Sequence, residues 1–252
     1  MTHDYPALFA VLLARELKAK YKNTFLGYLW SILMPMLQSL IFFVVFSVFL
    51  RFEIADYFLF LSVGFVVWQF FSNSLSCAAN SLVGNANLVK KTMVSREIFV
   101  ATAVSAELVH LLASLPVLTA MTLICRRSIP PNTLYVLPAA LAAAAMLAYG
   151  LGLMLAAGNA YFRDLERIVQ VLLQAWFYCT PVFYGIAQLP EDCRFLLKFN
   201  PMFYPVALFR NCFYARESCG ALIAVALAVG ALACAVGSMV FRRFSGNVAE
   251  WM

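Results

Sequence analysis

Charged residues in this chain are so widely spaced that they mark the edges of apolar segments. None falls between Lys22 and Arg51, and none between Asp56 and Lys90. About 20 residues of apolar helix cross the hydrocarbon of a bilayer. The pattern predicts six such spans, at 25–50, 57–83, 97–125, 133–162, 167–187 and 218–241. Pro35 is expected to kink the first. The stretch 188–216 reads differently: its apolar runs are too short to cross and Pro201 and Pro205 interrupt them, so short re-entrant or interfacial helices are expected there. Residues 1–24 read as an amphipathic helix lying on the membrane surface. Ala10, Leu13, Ala14, Leu17 and Tyr21 share one stripe and Arg15, Lys18 and Lys22 another, and Glu16 can pair with Lys20 one turn on. The fold class is an all-α integral membrane protein, a single transmembrane domain over 1–252.

Between the second and third spans the chain turns polar, reading NSLVGNANLVKKTMVSREIF from Asn80 to Phe99. The pattern predicts a short helix-like elbow over 84–96, with Asn85, Asn87, Lys90 and Lys91 exposed around Leu88 and Val89. The alternation of spans places this elbow on the same side as both termini. That side carries eleven Lys and Arg residues against seven on the other, which puts it in the cytoplasm. Arg126 and Arg127 run against the bias.

Composition supports the bilayer reading. Of 252 residues 64% are apolar and 12% charged, with mean hydropathy +0.85, whereas soluble domains carry about a quarter charged residues. The net charge of +6 fits cytoplasmic loops beside anionic headgroups and needs no nucleic acid. The N-terminus lacks a basic n-region, so the first span is expected to act as its own insertion signal. The seven cysteines show no C-x-x-C spacing and read as small buried apolar residues. Cys193, Cys212 and Cys219 fall in one external segment, where a disulfide stays open as an alternative. No P-loop, H-E-x-x-H, G-x-S-x-G or metal-spaced cluster occurs, so catalysis and a resident metal are not expected.

Glu107 and His110 stand one turn apart inside the third span. Ionisable groups at that depth point to a proton path or substrate contact, or else to packing against a polar neighbour such as Gln38, Gln69 or Asn73. The lack of a second acidic relay favours packing. The aromatics include Trp30, Phe42, Phe46, Trp68, Phe71, Trp176, Tyr178 and Tyr184. Any that share a lumen would suit a sugar chain, whose apolar ring faces pack on aromatic rings while hydroxyls reach Gln and Asn.

Four blocks carry a resemblance to a known family: RELKAKYKNTFLGYLWSILMPM (Arg15–Met36), GFVVWQFFSNSLSCAANSLVGNANLVKK (Gly64–Lys91), YFRDLERIVQVLLQAWFYCTPVFYG (Tyr161–Gly185) and NPMFYPVALFR (Asn200–Arg210). In that order they resemble the permease subunits of ABC-type polysaccharide exporters, those for O-antigen, capsule and teichoic acid. One departure is MVSRE, where the family commonly reads Phe-Pro-Arg-Glu; Arg96 and Glu97 are kept and the proline is lost.

The resemblance implies a homodimer in the bacterial inner membrane that moves a lipid-linked polysaccharide outward. Two separate ATPase subunits would carry the ATP and magnesium, leaving this chain without a cofactor. It also implies an interface helix using Arg15, Glu16, Lys18, Tyr21 and Lys22, and a coupling helix using Asn85, Asn87, Leu88, Lys90, Lys91, Arg96 and Glu97. Arg163, Asp164, Glu166 and Arg167 would form a second cytoplasmic contact, the re-entrant helices would cap the outer end of the pore, and the aromatics above become candidates for its lining. Rival readings are the same fold carrying a drug or lipo-oligosaccharide, a proton-coupled flippase using Glu107 and His110, and a non-transporting scaffold.

Overall fold

A computed structural model describes residues 5–21, 27, 29–91, 95–162, 164–214 and 219–245. Among these the chain is helical, with no strand. The amphipathic segment forms α1 (Tyr5–Tyr21) and the first span α2 (Leu29–Phe43), which continues in wider π-helical winding over Val44–Phe49. Then come α3 (Tyr57–Ser81), the elbow helix α4 (Ala86–Lys91), α5 (Glu97–Ile124), α6 (Thr133–Tyr161), α7 (Leu165–Cys179), α8 (Glu191–Arg194), α9 (Phe203–Phe213) and α10 (Gly220–Ser245). Pro35 lies inside α2, and Ser39 Oγ donates to its carbonyl at 2.7 Å.

Five helices among the described residues are long and apolar enough to cross a membrane: α2 with its π-helical extension, α3, α5, α6 and α10. The segment 167–187 differs from the expected span. It is helical only to Cys179, and 15 residues of helix rise about 22 Å, short of the hydrocarbon thickness. Thr180–Pro181 ends it, because proline disfavours helical conformation in the residue before it and cannot donate to the ladder.

α3 is the centre. Of its most apolar stretch 78% is buried, against 11% for α2 and 17% for α10. It packs against α2, α5, α6, α7 and α9. The closest helix pair is α6 with α10. A Cβ built on Gly237 would run into the Gly150 carbonyl, and one on Gly150 would strike the Ala233 backbone. Lipid tails are as apolar as leucine, so such pairs associate through close backbone approach, which small residues permit.

At the end where α2 finishes and α3 begins, Arg127 ties three connections together. Its Nε pairs with Asp56 Oδ2 at 2.6 Å and its Nη1 donates to Tyr214 O at 2.7 Å. Its guanidinium lies 4.4 Å from the Tyr214 ring centroid, and the Tyr214 hydroxyl donates to Ala55 O at 2.6 Å. Burial raises the Tyr214 phenol above its usual range, which keeps it a neutral donor. Arg127, one of the two cations that weaken the charge asymmetry between loops, is thus paired with Asp56. Cys212 is a buried free thiol that burial pushes up to about 12, and Cys219 is buried as well; the side chain of Cys193 lies outside the described set.

Overfilling the α6–α10 contact tests its closeness. Gly237→Leu is expected to destabilise the protein in lipid nanodiscs by about 1–3 kcal/mol, read as a lowered midpoint of thermal unfolding, whereas Gly185→Ala, in open space, should change it little.

Candidate functional site

One end of the bundle collects α1, the elbow, the start of α5 and the ends of α6 and α10. Leu12 of α1 is buried, with Leu8 and Phe9 packed beside it, while Ala10 and Ala14 face outward. The buried stripe is therefore rotated from the alanine-containing one in the sequence, because leucine and phenylalanine gain more from burial than alanine does. Glu16 pairs with Arg15 at 3.0 Å instead of with Lys20. Lys20 reaches into the membrane domain, where its Nζ donates to Glu107 Oε1 and Oε2 at 2.7 and 2.9 Å. Glu107 is 3% exposed. Cys77 Sγ approaches the same carboxylate at 3.7 Å. A buried carboxylate needs a cation or strong donors to stay charged, and Lys20 provides one.

Arg15 also donates to Asn85 Oδ1, while Asn85 Nδ2 donates to Ser81 O at 2.8 Å. The elbow opens with a tight turn over Val83–Asn85 and continues as α4. Val89 is buried; Asn87 and Leu88 face outward. Lys90 and Lys91 close α4, their side chains lying outside the described set. Beyond the elbow, half-buried Arg96 precedes α5, and Glu97 meets Arg242 of α10 at 3.4 Å. Tyr161 OH donates to Phe244 O at 2.8 Å, bringing the end of α6 to the same place. Asp164 and Arg167 are exposed at the start of α7, Glu166 is half-buried, and Lys18 is exposed on α1. Lys22 and Arg163 lie outside the described residues, as does the side chain of Tyr21.

Two cavities flank α2. The first, about 380 Å³, is lined by Lys20, Glu107 and His110 with Trp30, Gln69 and Asn73 among others. Gln69 and Asn73 bond to each other at 3.2 Å. The second is a groove of about 410 Å³ between α2, α3 and α7. Gln38 and Phe42 enter it from α2; Phe65, Trp68, Gln69, Ser72 and Ser76 from α3; Gln170, Gln174, Phe177 and Tyr178 from α7. The intervals are three and four residues, one face of each helix.

Of the aromatics singled out in sequence, Phe42, Trp68 and Tyr178 line this groove and Trp30 lines the first cavity. Phe46 stacks on Phe42 at 5.6 Å, and Tyr184 meets Phe183 edge-on at 5.0 Å. Phe71 is fully buried and meets Trp176 edge-on at 5.2 Å. Those two brace the α3–α7 contact.

From Thr180 to Gly185 the chain runs without helix, and carbonyls at and beyond Cys179 find side-chain partners. Asn200 Nδ2 donates to Cys179 O at 3.1 Å and to Thr180 Oγ1 at 2.9 Å. Asn200 Oδ1 accepts from Trp176 Nε1 at 2.9 Å and from Met202 N at 3.0 Å. Arg210 Nη2 donates to Val182 O at 2.8 Å, with its guanidinium 3.7 Å from the Phe60 ring centroid. Tyr57 OH donates to Phe183 O at 2.6 Å. A Cβ on Gly64 would stand 2.8 Å from Val182 O, so glycine lets the broken segment lie against α3. Sequence reasoning missed these partners, as it missed buried Asn159, which donates to Ala79 O at 3.0 Å and joins α6 to α3.

With this geometry in view, the comparisons with known proteins bear on all of it. The ABC-2 type transporter family model matches residues 7–214. The chain belongs to the ABC-2 type transporter family. It is 29% identical over 243 residues to an O-antigen export system permease protein RfbA of Klebsiella pneumoniae, covering 96% of this chain and 94% of that one. Against the protein of the same name from Myxococcus xanthus it is 30% identical over 214 residues, 84% of this chain and 82% of the other. A capsule polysaccharide export inner-membrane protein, CtrC of Neisseria meningitidis, is 22% identical over 210 residues, 81% and 77% of the two chains. As an ABC-2 permease with several helices fit to span a membrane, the chain is a multi-pass membrane protein.

The Lys20–Glu107 pair predicts coupling. In a double-mutant cycle with Lys20→Gln and Glu107→Gln, unfolding in nanodiscs should give an interaction energy of about 1–2 kcal/mol. Additive effects would mean the pair contributes nothing. Asn200→Leu strands several partners at once and should cost about 2–3 kcal/mol on the same assay.

Proposed function

We propose that this chain is the membrane subunit of an ATP-driven exporter that moves a lipid-linked polysaccharide, O-antigen-like, out across the inner membrane. The observation that carries the reading is the α2–α3–α7 groove, in which carboxamides and hydroxyls alternate with aromatic rings. A glycan presents both hydroxyls and apolar ring faces, so such a wall suits it along its whole length. The names of the relatives agree, two O-antigen permeases and one capsule export protein.

The α1 end would face the cytoplasm with both termini. The elbow would seat in a groove of a separate ATPase subunit, with 163–167 as a second contact. A homodimer would place two grooves around one path, with α8 and α9 near its outer mouth. ATP and magnesium would be held by the partner. The contact of Glu107 with Lys20 at 2.7 Å, which joins α5 to α1, supports a clamp rather than a proton carrier. A proton-coupled flippase would lose transport on Glu107→Gln and need no ATPase.

The elbow test uses the intact exporter in vesicles. Lys90→Glu with Lys91→Glu is expected to leave insertion unchanged while lowering glycan export and stimulation of the partner ATPase by about tenfold or more, the loss of a few charge contacts at an interface. Export at the native rate would remove the elbow from the coupling path.

A further inference from the structure

Resting on the export reading, the chemistry of the groove narrows the cargo. Its polar side chains are Gln38, Gln69, Gln170 and Gln174 with Ser72 and Ser76. Each carboxamide and hydroxyl offers both donors and acceptors. A sugar hydroxyl does the same, so it finds a partner in either role as the chain advances. A carboxylate or phosphate can only accept. It would meet amide oxygens as often as amide N–H groups, and among the described lining residues there is no ammonium or guanidinium.

Arg167, one turn before Gln170, sits at the exposed start of α7 and is not among the described lining residues; two cations deeper in the bundle are committed elsewhere. Lys20 lines the other cavity and spends itself on both oxygens of Glu107. Arg210 donates to Val182 O, beside the Phe60 ring. An anion entering the groove would give up water without gaining a counter-charge, which is strongly unfavourable at low dielectric. A wholly lipophilic cargo fits no better, since it would offer no hydrogen bond to Gln38, Gln170 or Gln174.

We propose that the groove selects an uncharged glycan and rejects a polyanionic one. Phe42, Trp68 and Tyr178 take the apolar faces of the sugar rings, and the glutamines and serines take the hydroxyls. Selection comes from the mismatch between a neutral donor–acceptor wall and a fixed negative charge.

The test sets two soluble probes of equal length against the exporter, assembled with its ATPase in zwitterionic nanodiscs. Binding of maltohexaose and of hexagalacturonate is followed by saturation-transfer NMR. Maltohexaose is expected to bind at least about tenfold more tightly than hexagalacturonate. Gln174→Lys should tighten hexagalacturonate by a similar factor, and Ser72→Lys repeats the change on another helix should the first variant fail to assemble. Native exporter that holds hexagalacturonate as well as maltohexaose, or better, overturns the charge selection and leaves the glycan reading standing. Native exporter that binds neither overturns both.

Discussion

Hydrocarbon offers a peptide group no hydrogen bond, and most of this architecture follows from that constraint. Five long helices meet it internally. α7 does not, because it stops at Cys179 after 15 residues, shorter than a full crossing. The carbonyls beyond it are met by Asn200, Arg210 and Tyr57, which come from the segment before α9, from α9 and from α3. Those bonds fix α7 against three other parts of the chain at once. Phe177 and Tyr178, the last groove residues of α7, stand directly before the break. The caps on the break therefore also aim the rings that line the groove.

The second constraint is electrostatic. Glu107 is buried on α5, and its cation comes from α1, which packs alongside the span bundle. α1 cannot lift away without leaving a carboxylate unpaired in a low-dielectric setting. Arg15 extends the same helix to the elbow through Asn85, and Glu97 with Arg242 ties the far side of the elbow to α10. α1, the turn that opens the elbow, α5 and α10 thereby make polar contacts at one end of the bundle. Under the coupling proposed above, a push on the elbow would reach α5 and, through it, α3 and α2, both of which α5 packs against.

Much of this was legible in the sequence. Uncharged stretches between fixed charges located the long helices, and the polar break after α3 located the elbow. The α7 boundary was harder, since 168–186 is equally apolar whether it crosses or breaks; Thr180–Pro181 was the local signal. The partner of Glu107 was out of reach, because Lys20 has a nearer apparent mate in Glu16 and lies 87 residues away. Aromatic identity alone did not tell groove from core. Phe71 and Trp176 satisfy packing, and a ring serves core and lumen alike. The glutamines were the better markers: a carboxamide in an apolar helix needs a polar neighbour, and Gln170 with Gln174 repeats at the spacing of one face.

The two outward surfaces of α2 and α7 make different demands. Ile41, Val44 and Val48 on α2 and Val171 and Leu172 on α7 are exposed, and lipid tails cover them at no cost. The glutamines of the groove gain nothing from lipid. Their open side needs water, cargo or another polar wall, and a groove with one open side is only part of a conduit. A twofold axis beside it would bring the same face of a second copy opposite, as isologous contacts require. The homodimer proposed above would then put carboxamides and rings on both sides of one path, with the apolar flanks of α2 and α7 sealing it from the bilayer.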